Sequence, residues 1–244
     1  MKRQWIKLVV ILVLIPNISH AKRRNLNDIQ KGITFGAGLY YHPSSTANRF
    51  EPVKGLGGDN NTFNNLGSDK ILPYRMGLFL SGPMVYAEGF FRYVRTENEW
   101  QRTAPSVGLG KTTYKGMGGG AILAYTIAGA ESSRILAGVI GESISHTAVI
   151  EYAPANEKLK LSSSNLLLGP MLQAELYLGD LWSFSLMSAY EYGMASTWSV
   201  NESAKLFGTT RLAGTARVND QFANPIVSEF GGLLLEATFR LSFY

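Results

Sequence analysis

Apolar and polar positions alternate with a period of two in eight separate segments of the 244-residue chain. That period belongs to half-buried β-strands, whose successive side chains point to opposite faces. In Gly32–Tyr41, residues Ile33, Phe35, Ala37, Leu39 and Tyr41 share one face. Ile71–Leu80, Met84–Arg95 and Gly118–Ile127 repeat the pattern. So do Asn165–Leu178, Leu181–Gly193 and Glu229–Tyr244. Arg134–Val149 is less regular, with apolar residues on both faces, and a β-bulge near Gly141 is expected to change its phase.

The connections alternate in length. Short turns are expected at Ser81-Gly82-Pro83, at Ala128–Ser133 and at Gly179-Asp180. Long polar loops are expected at His42–Lys70, Thr96–Met117, Ile150–Ser164 and Met194–Ser228. Strict alternation of this kind belongs to up-and-down barrels of the outer-membrane type, with short turns at one rim and long loops at the other. The expected fold is therefore an all-β, eight-stranded, antiparallel, up-and-down transmembrane barrel. A hairpin within Lys205–Val218 would raise the number to ten.

The N-terminus adds a destination. Lys2, Arg3 and Lys7 precede the apolar run Leu8–Ile15, Pro16 ends it, and Ser19-His20-Ala21 supplies small residues for cleavage. Residues 1–21 read as a cleaved signal peptide, 22–30 as a periplasmic segment and 31–244 as the barrel. The apolar run is too short for a membrane-spanning helix, which needs about 20 residues. Without the leader's three cations, 20 basic residues face 18 acidic ones, so no strong basic field for nucleic acid remains. With no cysteine, disulfides, thiolate metal sites, cysteine nucleophiles and lipoprotein anchors are excluded. Only 17% of residues are charged, below the roughly 25% of soluble domains.

Apolar faces suit contact with lipid, and strands of about 10 residues suffice to cross a bilayer when tilted. Tyr40, Tyr41, Tyr93, Tyr190 and Tyr192 near the loop rim, with Trp182, Tyr86, Phe243 and Tyr244 near the turn rim, are expected to form two aromatic girdles. Arg75, Glu88, Arg92, Glu175, Glu191, Glu236 and Arg240 then face the lumen. Buried charges persist when paired and hydrogen-bonded, so a salt-bridged filling is expected rather than an open pore. A narrow path for ions or apolar solutes is the alternative use of the same lumen.

The architecture of residues 31–244 and the closing strand Phe239-Arg240-Leu241-Ser242-Phe243-Tyr244 resemble the small Gram-negative outer-membrane barrels of the OmpA, OmpX and OmpW type. Gly77-Leu78-Phe79-Leu80-Ser81-Gly82 and Leu168-Gly169-Pro170-Met171-Leu172 are more weakly similar to the MipA/OmpV family. The resemblance implies a monomer in the outer membrane, surrounded by lipids including lipopolysaccharide. The closing strand resembles the signal read by the barrel-assembly machinery, although Tyr244 follows the last alternating aromatic. No domain is expected after strand eight.

Catalytic chemistry has few candidates. Lipid-modifying barrels place a His and a Ser on the outer wall, where the base must reach the hydroxyl. Ser143, Ser145, His146, Thr147 and Glu151 lie at a suitable height, but Ser145 and His146 are adjacent and so face opposite ways, and position 148 is Ala148. His42, beside Pro43 and Ser44, reads as a loop residue. A lipid A or phospholipid esterase using His146 is thus an alternative to a non-enzymatic barrel. No catalytic, cofactor or metal site is assigned. Asp59, Asn60, Asn61 and Asn64 lack calcium-loop spacing, and Gly116–Gly120 lacks the Lys-Ser/Thr of a phosphate loop. Those glycines are expected to permit close packing in the wall. The loops are expected to carry any extracellular ligand, with Trp100 and Trp198 as exposed contact residues or interfacial anchors.

Overall fold

The computed structural model describes residues 29–41, 62–65, 71–104, 107–194, 196–214, 227–228 and 231–243. Eight long strands form one antiparallel ring. They are β1 (Gln30–Tyr41), β2 (Leu72–Ser81), β3 (Val85–Ala104), β4 (Gly108–Ala130), β5 (Ser133–Tyr152), β6 (Glu157–Tyr177), β7 (Trp182–Gly193) and β8 (Gly232–Phe243). Each pairs with its neighbours in sequence, and β8 closes the ring against β1. Closure leaves no edge strand within the ring, so the ladder satisfies the backbone polar groups.

One row of partners gives the stagger. From Ser183 it runs through Arg240, Thr34, Gly77, Phe90, Gly120, Glu142 and Leu167, and returns to β7 at Gly193. The circuit climbs ten residues on one strand. With eight strands, that offset tilts them by about 40° and gives a backbone radius of about 8 Å. Such a lumen holds side chains and little else. Points of equal height drift by just over one residue per strand along a register row.

The faces are inverted relative to a soluble protein. Outward residues include Leu78, Leu168, Leu123 and Met76, at 69%, 61%, 58% and 53% exposure. Inward residues include Arg92, Arg240, Thr34, Thr238 and Gln173, all fully buried. Tyr41, Tyr74, Tyr190 and Tyr192 stand exposed toward the rim opposite the short turns, and Trp182 and Phe243 toward the turn rim. Tyr40 and Tyr86 correct the expectation for the girdles: both point into the lumen and are buried. Tyr40 shares the parity of Thr34 and not of Tyr41, which is what puts its ring inside.

Strand lengths differ from expectation. β3 to β6 run 20, 23, 20 and 21 residues, against 10 to 12 for the other four. Two of the four expected long loops are therefore mostly strand. Residues 105–107 connect β3 to β4, and a single 3₁₀ turn, Ala153–Ala155, precedes Asn156 in the αL region between β5 and β6. Polar outward residues on these extensions hid their ladder pairing. The bulge expected at Gly141 is absent, since β5 holds one phase from Arg134 to Tyr152. The irregularity lies in β4 between Thr126 and Ala128.

The hairpin within 205–218 does form, as Ala204–Leu206 against Thr209–Arg211, but it stays outside the ring. The ring keeps eight strands. Short strands Ser199–Val200 and Thr62–Asn65 pair with the extended parts of β6 and β3. Among the described residues no helix is long and apolar enough to cross a membrane, which says nothing of strands. The segment read as a signal peptide, His42, Asp59, Asn60, Asn61 and Tyr244 lie outside the described residues.

Candidate functional site

Among the described residues, nine charged side chains in two linked groups fill the lumen below the strand extensions. Near the short turns, Arg134 Nε donates to Glu175 at 2.8 Å, and Arg240 lies 2.9 Å from the same carboxylate. Ser183 donates to Glu175 at 2.6 Å, and Arg134 also reaches Ser81 Oγ and Gly82 O. The Tyr86 ring lies 4.2 Å under the Arg240 guanidinium, so a cation–π contact completes the layer.

The second group begins where Tyr86 donates to Glu88. Arg75 lies 3.5 Å from Glu88 and 2.7 Å from Glu236, and donates to Thr238 at 3.0 Å. Arg92 lies 2.7 Å from Glu142 and 3.3 Å from both Glu191 and Glu236, and donates to the Tyr40 hydroxyl. The Tyr40 hydroxyl also bridges Glu142 and Glu191. Four arginines face five glutamates, and none of the side chains is more than slightly exposed.

All seven lumen charges read from sequence are in place, and Arg134 and Glu142 join them. Unbroken alternation along β5 would have revealed both, because 134 and 142 share parity with Leu136 and Ile140. The expected bulge concealed them. Glycines make the room: a Cβ on Gly36 would meet Glu236 Oε1 at 2.5 Å, and one on Gly120 would meet the Glu142 Cβ at 2.6 Å. Gly116 and Gly118 are likewise covered by Val94, His146 and Ile144. The glycine run thus serves close packing, as expected.

Above the charges the extended strands form an aromatic cap. Trp100 stacks on Tyr152 with ring centroids 6.0 Å apart, and Phe207 meets both edge-on. Arg102 lies over Phe207 and Tyr152, at 5.1 and 5.5 Å. Phe207 and Gly208 have φ of 52° and 82°, the two left-handed central positions of a tight hairpin turn. A phenylalanine pays strain there, and the ring's seat among Trp100, Tyr152 and Arg102 offsets it. Trp100 and Trp198 are 0% and 3% exposed, which overturns their reading as exposed contacts or interfacial anchors. Trp100 shares the parity of Glu88 and Arg92, so continuing the strand carries it inward.

His146 also points inward, 1% exposed, with its ring 5.2 Å from Tyr114. Its register partner on β6 is Ser163, on the same face. Ser143 and Ser145 point outward and Glu151 stands on the outer wall, so the candidate cluster is split between two faces. Among the described residues no group of three or more His, Cys, Asp or Glu could hold a metal ion. On the outer wall of the extension, Glu97 accepts from Lys111 at 2.8 Å and Arg95 at 2.5 Å. Those two cations hold its carboxyl down to about 2. No family model matches the chain, and no curated protein matches it.

Proposed function

We propose that this chain is an integral outer-membrane β-barrel protein with an occluded lumen and a structural or surface-interaction role. One observation carries the reading: a closed ring puts large apolar side chains outside and paired charges inside. In water that arrangement wastes the hydrophobic effect, whereas in lipid it is the stable one. The resemblance to OmpA-, OmpX- and OmpW-type barrels, the signal-like N-terminus and the closing strand support the same location. On this reading the chain inserts as a monomer through the barrel-assembly machinery, and its extended end faces outward.

On this reading the barrel acts neither as an open pore nor as an esterase using His146. Among the described residues, paired charges and the aromatic cap occupy the lumen, which argues against a channel for ions or apolar solutes. His146 faces the lumen while Ser145 faces away, which argues against a lipid esterase. Expression with residues 1–21 in a Gram-negative host is expected to give an outer-membrane band whose gel mobility changes on boiling. Planar bilayers are expected to show no discrete conductance, and purified protein no hydrolysis of lipid A or phospholipid. A soluble band insensitive to heating would overturn the membrane reading, and steady conductance would overturn occlusion.

A further inference from the structure

The outer wall carries a groove of about 780 Å³ on the extensions of β3 to β6, where the aromatic band gives way to polar residues. Its base meets the rim of that band. Allowing for strand tilt, the level set by Tyr41, Tyr74, Tyr93 and Tyr192 continues on β4 to β6 as Met117, Ser143 and Leu166. Among the described residues the girdle therefore has a gap without aromatics on β4 to β6. Lys115 stands directly above the gap, with Ser145 and Thr147 beside it on β5, and its register partner Arg95 stands at the gap's edge, above Tyr93 on β3.

The charges in the groove are unevenly matched. Glu151 is taken by Lys158 at 2.8 Å, and Glu202 lies 3.8 Å from Lys160. Glu97 is shared between Lys111 and Arg95. Lys115 has no ion-pair partner among the described residues, and Arg95 holds only half of one. The surplus positive charge thus sits at the lowest point of the groove, flanked by hydroxyl donors. Lys and Arg with hydroxyls form the donor set that phosphate oxygens accept from.

We propose that Lys115, Arg95, Ser145 and Thr147 bind the phosphorylated headgroup of an outer-leaflet lipid, whose acyl chains lie below on the apolar wall by Met117. The proposal rests on the membrane reading, which alone gives that height a headgroup. Height distinguishes a lipid from a free anion, because the cations sit at the lipid boundary rather than at the tip of the extension. The interface also concentrates anionic headgroups near basic side chains.

Native mass spectrometry of the full barrel, refolded in detergent with diphosphoryl lipid A, tests this. The wild type is expected to retain the lipid, and Lys115→Ala with Arg95→Ala to lower its affinity by roughly tenfold or more. Lys31→Ala, exposed near the opposite rim, is expected to leave retention unchanged. Retention by the double variant equal to wild type would overturn the site, as would equal retention of dephosphorylated lipid A. Displacement by millimolar inorganic phosphate would make it a free-anion site and overturn the lipid assignment. Should the double variant lose its heat-modifiable mobility, Lys115→Gln and Thr147→Val apply the same criteria singly. A wild type that inserts into phosphatidylcholine vesicles yet shows no lipid preference defeats this proposal alone. Failure to insert defeats the membrane reading itself.

Discussion

Arg92 is the most consequential single side chain of the lumen. It lies within 3.3 Å of Glu142, Glu191 and Glu236, and its side chain is fully buried. Replacing it by Met keeps length and apolar volume but removes the cation. Glu236 keeps Arg75 at 2.7 Å. Glu142 and Glu191 keep only the Tyr40 hydroxyl, which has one proton for two carboxylates. Removing one partner of a buried pair costs about 3–5 kcal/mol, and two orphaned carboxylates place Arg92→Met at about 5 kcal/mol. Glu142→Gln should cost less, about 1–2 kcal/mol, since Arg92 retains two carboxylates and the amide still accepts a hydrogen bond. Combining Arg92→Met with Glu142→Gln and Glu191→Gln should recover most of the loss, because no unpaired charge remains. Urea unfolding of the vesicle-inserted barrel, followed by gel mobility, measures all three. A cost below about 1 kcal/mol for Arg92→Met, or additive costs in the combined variant, would refute the paired-lumen account.

Three further outcomes follow from the geometry. Trp100→Ala removes the ring on which Phe207 and Tyr152 rest, so trypsin cleavage at Lys205 and Arg211 should quicken while heat-modifiable mobility persists; unchanged cleavage would mean the cap does not hold the hairpin. Gly169→Ala places a Cβ 1.9 Å from the Tyr190 carbonyl oxygen and should destabilise by about 1–3 kcal/mol or block assembly, whereas Gly89→Ala meets nothing within 4 Å and should be neutral; equal effects in urea unfolding would contradict the packing. Glu97, held to about 2 by Lys111 and Arg95, contributes stability that is present above the ordinary carboxylate range and fades as pH falls toward 2. Carboxyl NMR should show Lys111→Ala moving that titration upward, and by less in high salt, since the pair is exposed; no movement would remove Lys111 as the cause.

Much of the ring was legible in the alternation. Period two gave the strands and the inward set Arg75, Glu88, Arg92, Glu175, Glu191, Glu236 and Arg240, because a closed sheet turns parity directly into inside and outside. The strand extensions are hidden because their outward faces are polar, and apolarity is the mark by which a half-buried strand is read. Beyond the apolar band, Arg95, Glu97, Lys111 and Lys115 face outward on well-paired strands, so 96–104 and 108–117 read as loop. Trp100 consequently reads as an exposed loop residue, although its parity matches Arg92. On β5, Ile140 and Ile144 face a lumen otherwise rich in charge, and that mixture suggested a bulge where parity alone would have found Glu142. The groove beside Lys115 was out of reach, since it depends on the stagger of four strands and not on spacing within any one.

The inverted faces are tested most directly by tryptophan quenching. Trp182 stands 48% exposed on the outer wall, whereas Trp100, within the cap, and Trp198 are buried. Barrels starting at Lys22 with a single tryptophan, made by Trp→Phe changes at the other two positions, would be refolded into vesicles of acyl-brominated phosphatidylcholine. The account predicts strong quenching of Trp182 and nearly none of Trp100. Quenching of Trp100 equal to that of Trp182, or an unquenched Trp182, would contradict it.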